Sequence, residues 1–93
     1  EERRRLWERA IPPLAPRNDD LDLQVLAKQF HIAGGSIINA SINACVRAAS
    51  DDEPVGMRHC VYAVARELYK AGKQVNRVHF GDWYEEVAPL FAV

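Results

Sequence analysis

Between residues 57 and 68 the apolar side chains of Met57, Cys60, Val61, Val64, Ala65 and Leu68 recur at i, i+3, i+4, i+7, i+8 and i+11. That spacing places them on one face of an α-helix. Gly72 follows as a C′ residue, and Lys70 and Lys73 complement the negative end of the helix dipole. A helix is therefore expected from about Gly56 to Ala71. Such a stripe is buried only if other helices supply facing stripes, so the chain is expected to fold as a small helical bundle.

Four further helical segments can supply those faces. The first runs from Glu1 to Ile11, with Leu6, Trp7, Ala10 and Ile11 on its apolar side. Glu1/Arg5 and Arg5/Glu8 can pair along its exposed side, and Pro12-Pro13 stops it. The second takes Asp19 or Asp20 as N-cap and runs to Phe30, burying Leu23, Leu26, Ala27 and Phe30. The third opens at Gly35 or Ser36 and continues to Ala49 or Ser50. It has a polar stripe of Ser36, Asn39, Asn43, Arg47 and Ser50, while Ile37, Ile38, Ala40, Ala44, Cys45, Ala48 and Ala49 occupy its other faces. So apolar a helix belongs in the centre of the bundle. Asp51-Asp52-Glu53-Pro54 breaks it, and a linker from Lys73 to Gly81 leads to the last helix. There Asp82 and Glu85 form a capping box, Trp83, Val87, Leu90 and Phe91 make the apolar side, and Pro89 limits the length. Only Gln74 to Phe80 offers a short strand, and it has no partner. The expected class is all-α.

The bulk composition narrows the function classes. Ninety-three residues suggest one small domain, which buries roughly 60–65% of its unfolded surface. A net charge of −1 gives no electrostatic case for nucleic acid as a partner. No apolar run approaches the roughly 20 residues of a membrane helix, and no apolar core follows Glu1-Glu2-Arg3-Arg4-Arg5 to make a signal peptide. The chain lacks an initiator Met, as expected of a piece of something longer. Cys45 and Cys60 lack metal-ligand spacing and fit a reduced, cytoplasmic setting.

No enzyme constellation is present. The sequence contains no G-x-x-x-x-G-K-[ST] phosphate loop. His31, His59 and His79 fall in three separate segments, so neither a catalytic residue nor a metal ligand is assigned. Cys60 and Cys45 read as small buried hydrophobes. Arg3-Arg4-Arg5 reads as a solvated face balanced by Glu1, Glu2 and Glu8. Tyr62, Arg66 and Tyr69 line one side of the fourth helix as either a docking surface or a covered edge with stacked arginine. Gly34-Gly35 lies between the second and third helices. It is either a tight interhelical turn or a place where a ligand approaches backbone N–H groups at a helix start.

Several short motifs, in order, resemble the C-terminal helical lid of AAA+ ATPases. Arg4-Arg5-Leu6-Trp7 is similar to the first lid helix, and Asp20-Leu21-Asp22-Leu23 with Leu26-Ala27 to the second. Gly34-Gly35-Ser36-Ile37-Ile38-Asn39-Ala40 is similar to a "G-[AG]-x-I-x-N-A" third helix. The small residues Ala44, Ala48 and Ala49, then Arg66-Glu67 and Lys70, complete a match over about residues 3–73.

The resemblance implies a lid over residues 1–75, with residues 76–93 as a C-terminal extension carrying a short helix. It implies that Gly34 and Gly35 lie beside the adenine of bound ATP, with Ile11 where the first helix meets adenine or ribose. The large ATPase subdomain would bind the phosphates and Mg, and neighbouring subunits of a homo-oligomeric, hexameric ring would be the partners. Ser36, Ile37 and Ile38 occupy the place of the arginine that senses the γ-phosphate in many family members, so no such contact is expected. The lid would not hydrolyse ATP by itself. The alternative is a free-standing helical interaction module docking through Tyr62, Arg66, Trp83 and Tyr84.

Overall fold

The structure, a computed structural model, describes residues 2–91. Its order is α1 (Glu2–Ala10), α2 (Leu23–Gln29), α3 (Gly34–Ser50), α4 (Met57–Lys70), α5 (Arg77–Phe80), a 3-10 turn (Gly81–Trp83) and α6 (Tyr84–Phe91). Among the described residues the only β feature is an isolated bridge between Arg17 and Val55. The all-α bundle expected from the periodicity is the observed class.

The α3–α4 pair forms the spine, and α1 packs on α3 while α2 packs on α1. The α4 stripe is buried as its spacing requires: Cys60, Val61, Val64 and Ala65 are inaccessible, and Leu68 packs at the edge. Trp7, Ile11, Leu26, Phe30 and Ile37 meet that stripe in one core. Each large side chain so enclosed contributes about 1.5–3 kcal/mol. Ser41 is also fully buried, and its Oγ, like Trp7 Nε1, has no protein hydrogen-bond partner.

Helix ends explain where the elements stop. Ala71 is the C-cap of α4, and Gly72 follows at φ +77°. The Lys73 N–H donates to the Leu68 carbonyl at 2.9 Å and the Gly72 N–H to that of Tyr69 at 3.0 Å. This is the closure in which a left-handed C′ residue satisfies the last carbonyls. α3 ends the same way, with Asp52 rather than glycine in the left-handed position at φ 57°. There Glu53 N–H donates to Ala48 at 2.9 Å and Asp52 N–H to Ala49 at 3.0 Å.

Several boundaries differ from expectation. α2 begins at Leu23, not after Asp19 or Asp20, because Asp22 is the N-cap and its Oδ1 accepts from Gln24 and Val25, both at 3.1 Å. Asp20 serves another helix: its Oδ1 accepts from the Met57 N–H of α4 at 3.2 Å. α3 opens at Gly34, one residue earlier than expected, with Ala33 as N-cap. Residues 77–80 form a helical turn instead of a strand, because Asn76 Oδ1 accepts from the His79 N–H at 2.9 Å. Asp82 lies inside the 3-10 turn, so the expected Asp82/Glu85 box does not start α6. The expected Glu1/Arg5 pair involves a residue outside the described range. Arg5 lies 3.9 Å from Glu2, and Glu8 faces Arg17 at 3.6 Å.

The C-terminal segment packs back on the bundle. The buried Phe80 ring sits 4.8 Å from that of Phe30, and Val87 is buried. Phe91 rests between Tyr62 and Tyr69, with ring centroids at 5.6 and 5.4 Å. Among the described residues no helix is long and apolar enough to cross a membrane.

Candidate functional site

The start of α3 is the place the sequence singled out. Gly34 and Gly35 are its first two residues. Neither has the positive φ of a turn glycine, a conformation found only at Gly72 and Gly81 among the described glycines. The interhelical turn reading therefore fails: α2 has already ended at Gln29, with Phe30 as an extended C-cap at φ −116°. The first N–H groups of α3 have no intrahelical acceptor, and Ala33 has no side chain that could cap them. The first turn also lacks an acidic residue, so its dipole end keeps its positive character.

The two glycines differ in their surroundings. A Cβ on Gly34 would meet Leu6 Cδ1 at 3.2 Å, which shows how closely α3 approaches α1. A Cβ on Gly35 would meet nothing within 4 Å. Gly34 is half-buried and Gly35 exposed. Ile11, the third residue expected at the site, is fully enclosed by the bundle, and its carbonyl accepts from Arg17 Nη2 at 3.2 Å. Of the three, Gly35 alone stands fully open to a ligand. Beside the α2–α3 link lies a cleft of about 410 Å³, floored by Phe30, Ile32 and Leu68 and edged by His31, Lys73 and His79.

A second cluster was not visible from spacing. At the junction of α3 and α4, single ligand atoms of Asp51, Glu53 and His59 lie within 4.8 Å of one another. His59 is buried, and its Nδ1 accepts from the Gly56 N–H at 3.0 Å. In the neutral ring the proton therefore sits on Nε2, which donates to Asp51 Oδ2 at 3.2 Å. That nitrogen then has no lone pair for a metal. A cation is already supplied by Arg58, which pairs with Glu53 and lies 3.4 Å from Asp51. The cluster ties the end of α3 to the start of α4. The missed signal was a histidine three residues after the Gly56 N-cap, in the place of a capping-box glutamate.

The residues of the alternative docking face are largely covered. Tyr62 is half-buried between Phe91 and the Arg47 guanidinium, which lies 3.8 Å from its ring centroid. Trp83 and Tyr84 pack against the core, and Arg77 lies over Tyr84 at 4.6 Å. Arg66 is exposed. Burial pushes the pKa of both thiols up, that of Cys60 to about 12, which makes them poor nucleophiles. No protein-family model, curated protein or solved structure matches the chain.

Proposed function

We propose that this chain is the C-terminal lid of an AAA+ ATPase. It closes over the adenine of bound ATP and couples nucleotide state to neighbouring subunits of a ring for protein remodelling. The ordered lid-like motifs between Arg4 and Lys70 motivate the proposal. Gly35 is the observation that carries it. Glycine in a helix costs about 0.5–1 kcal/mol relative to alanine. Neither backbone angle nor neighbouring atoms require it at position 35. A flat base lying against the helix start does require it, because a side chain there would occupy the base's space. The first-turn N–H groups of α3 lack intrahelical acceptors and suit ring nitrogens or other acceptors.

This chain holds only the base end of the nucleotide. Phosphates and Mg²⁺ belong to the large α/β subdomain, and hydrolysis occurs there. Ser36, Ile37 and Ile38 supply no cation to a γ-phosphate. The two free thiols suit a cytoplasmic enzyme.

The test uses the intact protein. Gly35→Val is titrated with a fluorescent ATP analogue, and far-ultraviolet circular dichroism follows its helicity. Weaker binding with unchanged helicity is expected, and unchanged affinity removes the adenine contact. The sequence upstream of Glu1 must also contain a phosphate loop followed by an acidic strand end, or the ATPase assignment falls.

A further inference from the structure

The apolar residues of α3 do not all face the core. Ile37, Ala40, Ala44 and Ala48 are buried, whereas Ile38, Ile42 and Val46 are 45%, 56% and 64% exposed. These three stand at i, i+4 and i+8, and half-buried Cys45 with exposed Ala49 extends the row. At about 1.5 Å of rise per residue, Ile38 to Ala49 spans about 16 Å. The centrality expected for α3 thus holds on one side only. A helix that is apolar on both sides is normally enclosed, and an exposed apolar row marks a contact surface.

The edge of the row indicates what covers it. Asn39 and Asn43 border it, and beyond them α4 contributes Arg66 and Lys70, leaving a shallow groove of about 280 Å³. Lys70 Nζ is held by Glu67 Oε2 at 2.9 Å, which neutralises both. Arg66 is exposed and has no ion-pair partner among the described residues. The groove therefore presents an aliphatic floor, amide side chains and one uncompensated cation. A second copy of the chain fits this poorly. The one carboxylate lining the groove, Glu67, is already bonded to Lys70, so the same face of a second copy offers Arg66 no free anion.

We propose that this face seats an amphipathic helix of another protein body, one with aliphatic side chains at i, i+4 and i+7 and a carboxylate beside them for Arg66. The amides of Asn39 and Asn43 can bond polar groups along its border. Three half-exposed aliphatic side chains cover far less than the roughly 800 Å² per partner of a standard interface. The contact is weak alone and gains strength when the helix belongs to a larger docked body. Neither the glycine pair nor a nucleotide enters this inference, so it stands apart from the ATPase assignment.

The test is a ¹⁵N-HSQC titration of the chain with two designed helical peptides. Both carry leucine at i, i+4 and i+7; one is flanked by glutamate and the other by lysine. The acidic peptide is expected to shift amides of residues 38–46 and 66–70 and to bind about two- to fivefold more tightly, the size of a rim charge pair. Arg66→Glu is expected to reverse that order, and Ile42→Ser, a change at an exposed position, to abolish both titrations. Equal binding of the two peptides, a preference unaltered by Arg66→Glu, or shifts elsewhere overturns the proposal. So does concentration-dependent dimerisation of the free chain through residues 38–46.

Discussion

Replacing Gly35 with Ala should stabilise the isolated chain. Gly35 is helical with negative φ, and the added methyl meets no atom within 4 Å. In a helix interior the exchange is worth about 0.5–1 kcal/mol. Gly35 lies in the first turn, where its N–H makes no intrahelical bond, so the lower end applies, about 0.5 kcal/mol. A domain of this size gains about 4–8 °C in Tm per kcal/mol, so the melting temperature should rise by about 2–4 °C. Gly34→Ala is the internal control: its methyl would press Leu6 Cδ1 from 3.2 Å, so Leu6 must shift and part of the gain is offset. Calorimetry of the three proteins at neutral pH decides the matter. If Gly35→Ala melts lower, or gains less than Gly34→Ala, the fold does need glycine at 35 and the case for an external reason collapses. In the intact protein the same substitution should lower ATP affinity, so stability and affinity move in opposite directions.

Gly72→Ala should lower stability by about 1 kcal/mol, since a left-handed alanine costs about 1–2 kcal/mol and its stiffer unfolded chain returns about 0.4–1. An unchanged urea midpoint would refute the C′ role. Cys60 gives a pH dependence. Its folded pKa of about 12 exceeds the unfolded value of about 8.5, so its contribution is complete below the unfolded value. Above it that contribution is lost as pH rises toward the folded value, by up to about 1.4 kcal/mol per unit. Urea melts between about pH 8 and 10.5 should fall more steeply for the native chain than for Cys60→Ala. Iodoacetamide should modify half-buried Cys45 before the enclosed Cys60; equal rates would contradict the burial.

Legibility in the sequence followed the range of the forces involved. The α4 stripe and its Gly72 stop were readable because both are local: burial repeats with the helical period, and the left-handed cap sits next to the last turn. The start of α2 is not legible locally, because Asp22 rather than Asp19 or Asp20 caps it and Asp20 is diverted to Met57, far along the chain. The Asp51–His59 clasp depends on two helix ends meeting, and its histidine does the work usually given to glutamate. The exposed row on α3 was hidden by its composition, since Ile38 and Ile37 look alike until the packing assigns one of them inward. At the site, the glycine pair was found by residue type. Its place in the first turn of α3, one of two readings the residues leave open, follows from the helical backbone without positive φ at both glycines.

The diversion of Asp20 belongs to a larger seam. Asn18 N–H donates to the Val55 carbonyl at 2.7 Å, Val55 N–H to that of Pro16 at 2.9 Å, and Met57 N–H to Asp20. These bonds sew the α1–α2 connection to the α3–α4 connection at one end of the bundle. The two helical pairs therefore cannot part there one bond at a time, because opening the seam exposes several backbone groups together. In hydrogen exchange, the amides of Asn18, Val55 and Met57 should open only with the whole domain. A force pulling on either connection is shared with the other through these bonds, so the seam loads both helical pairs at that end of the bundle.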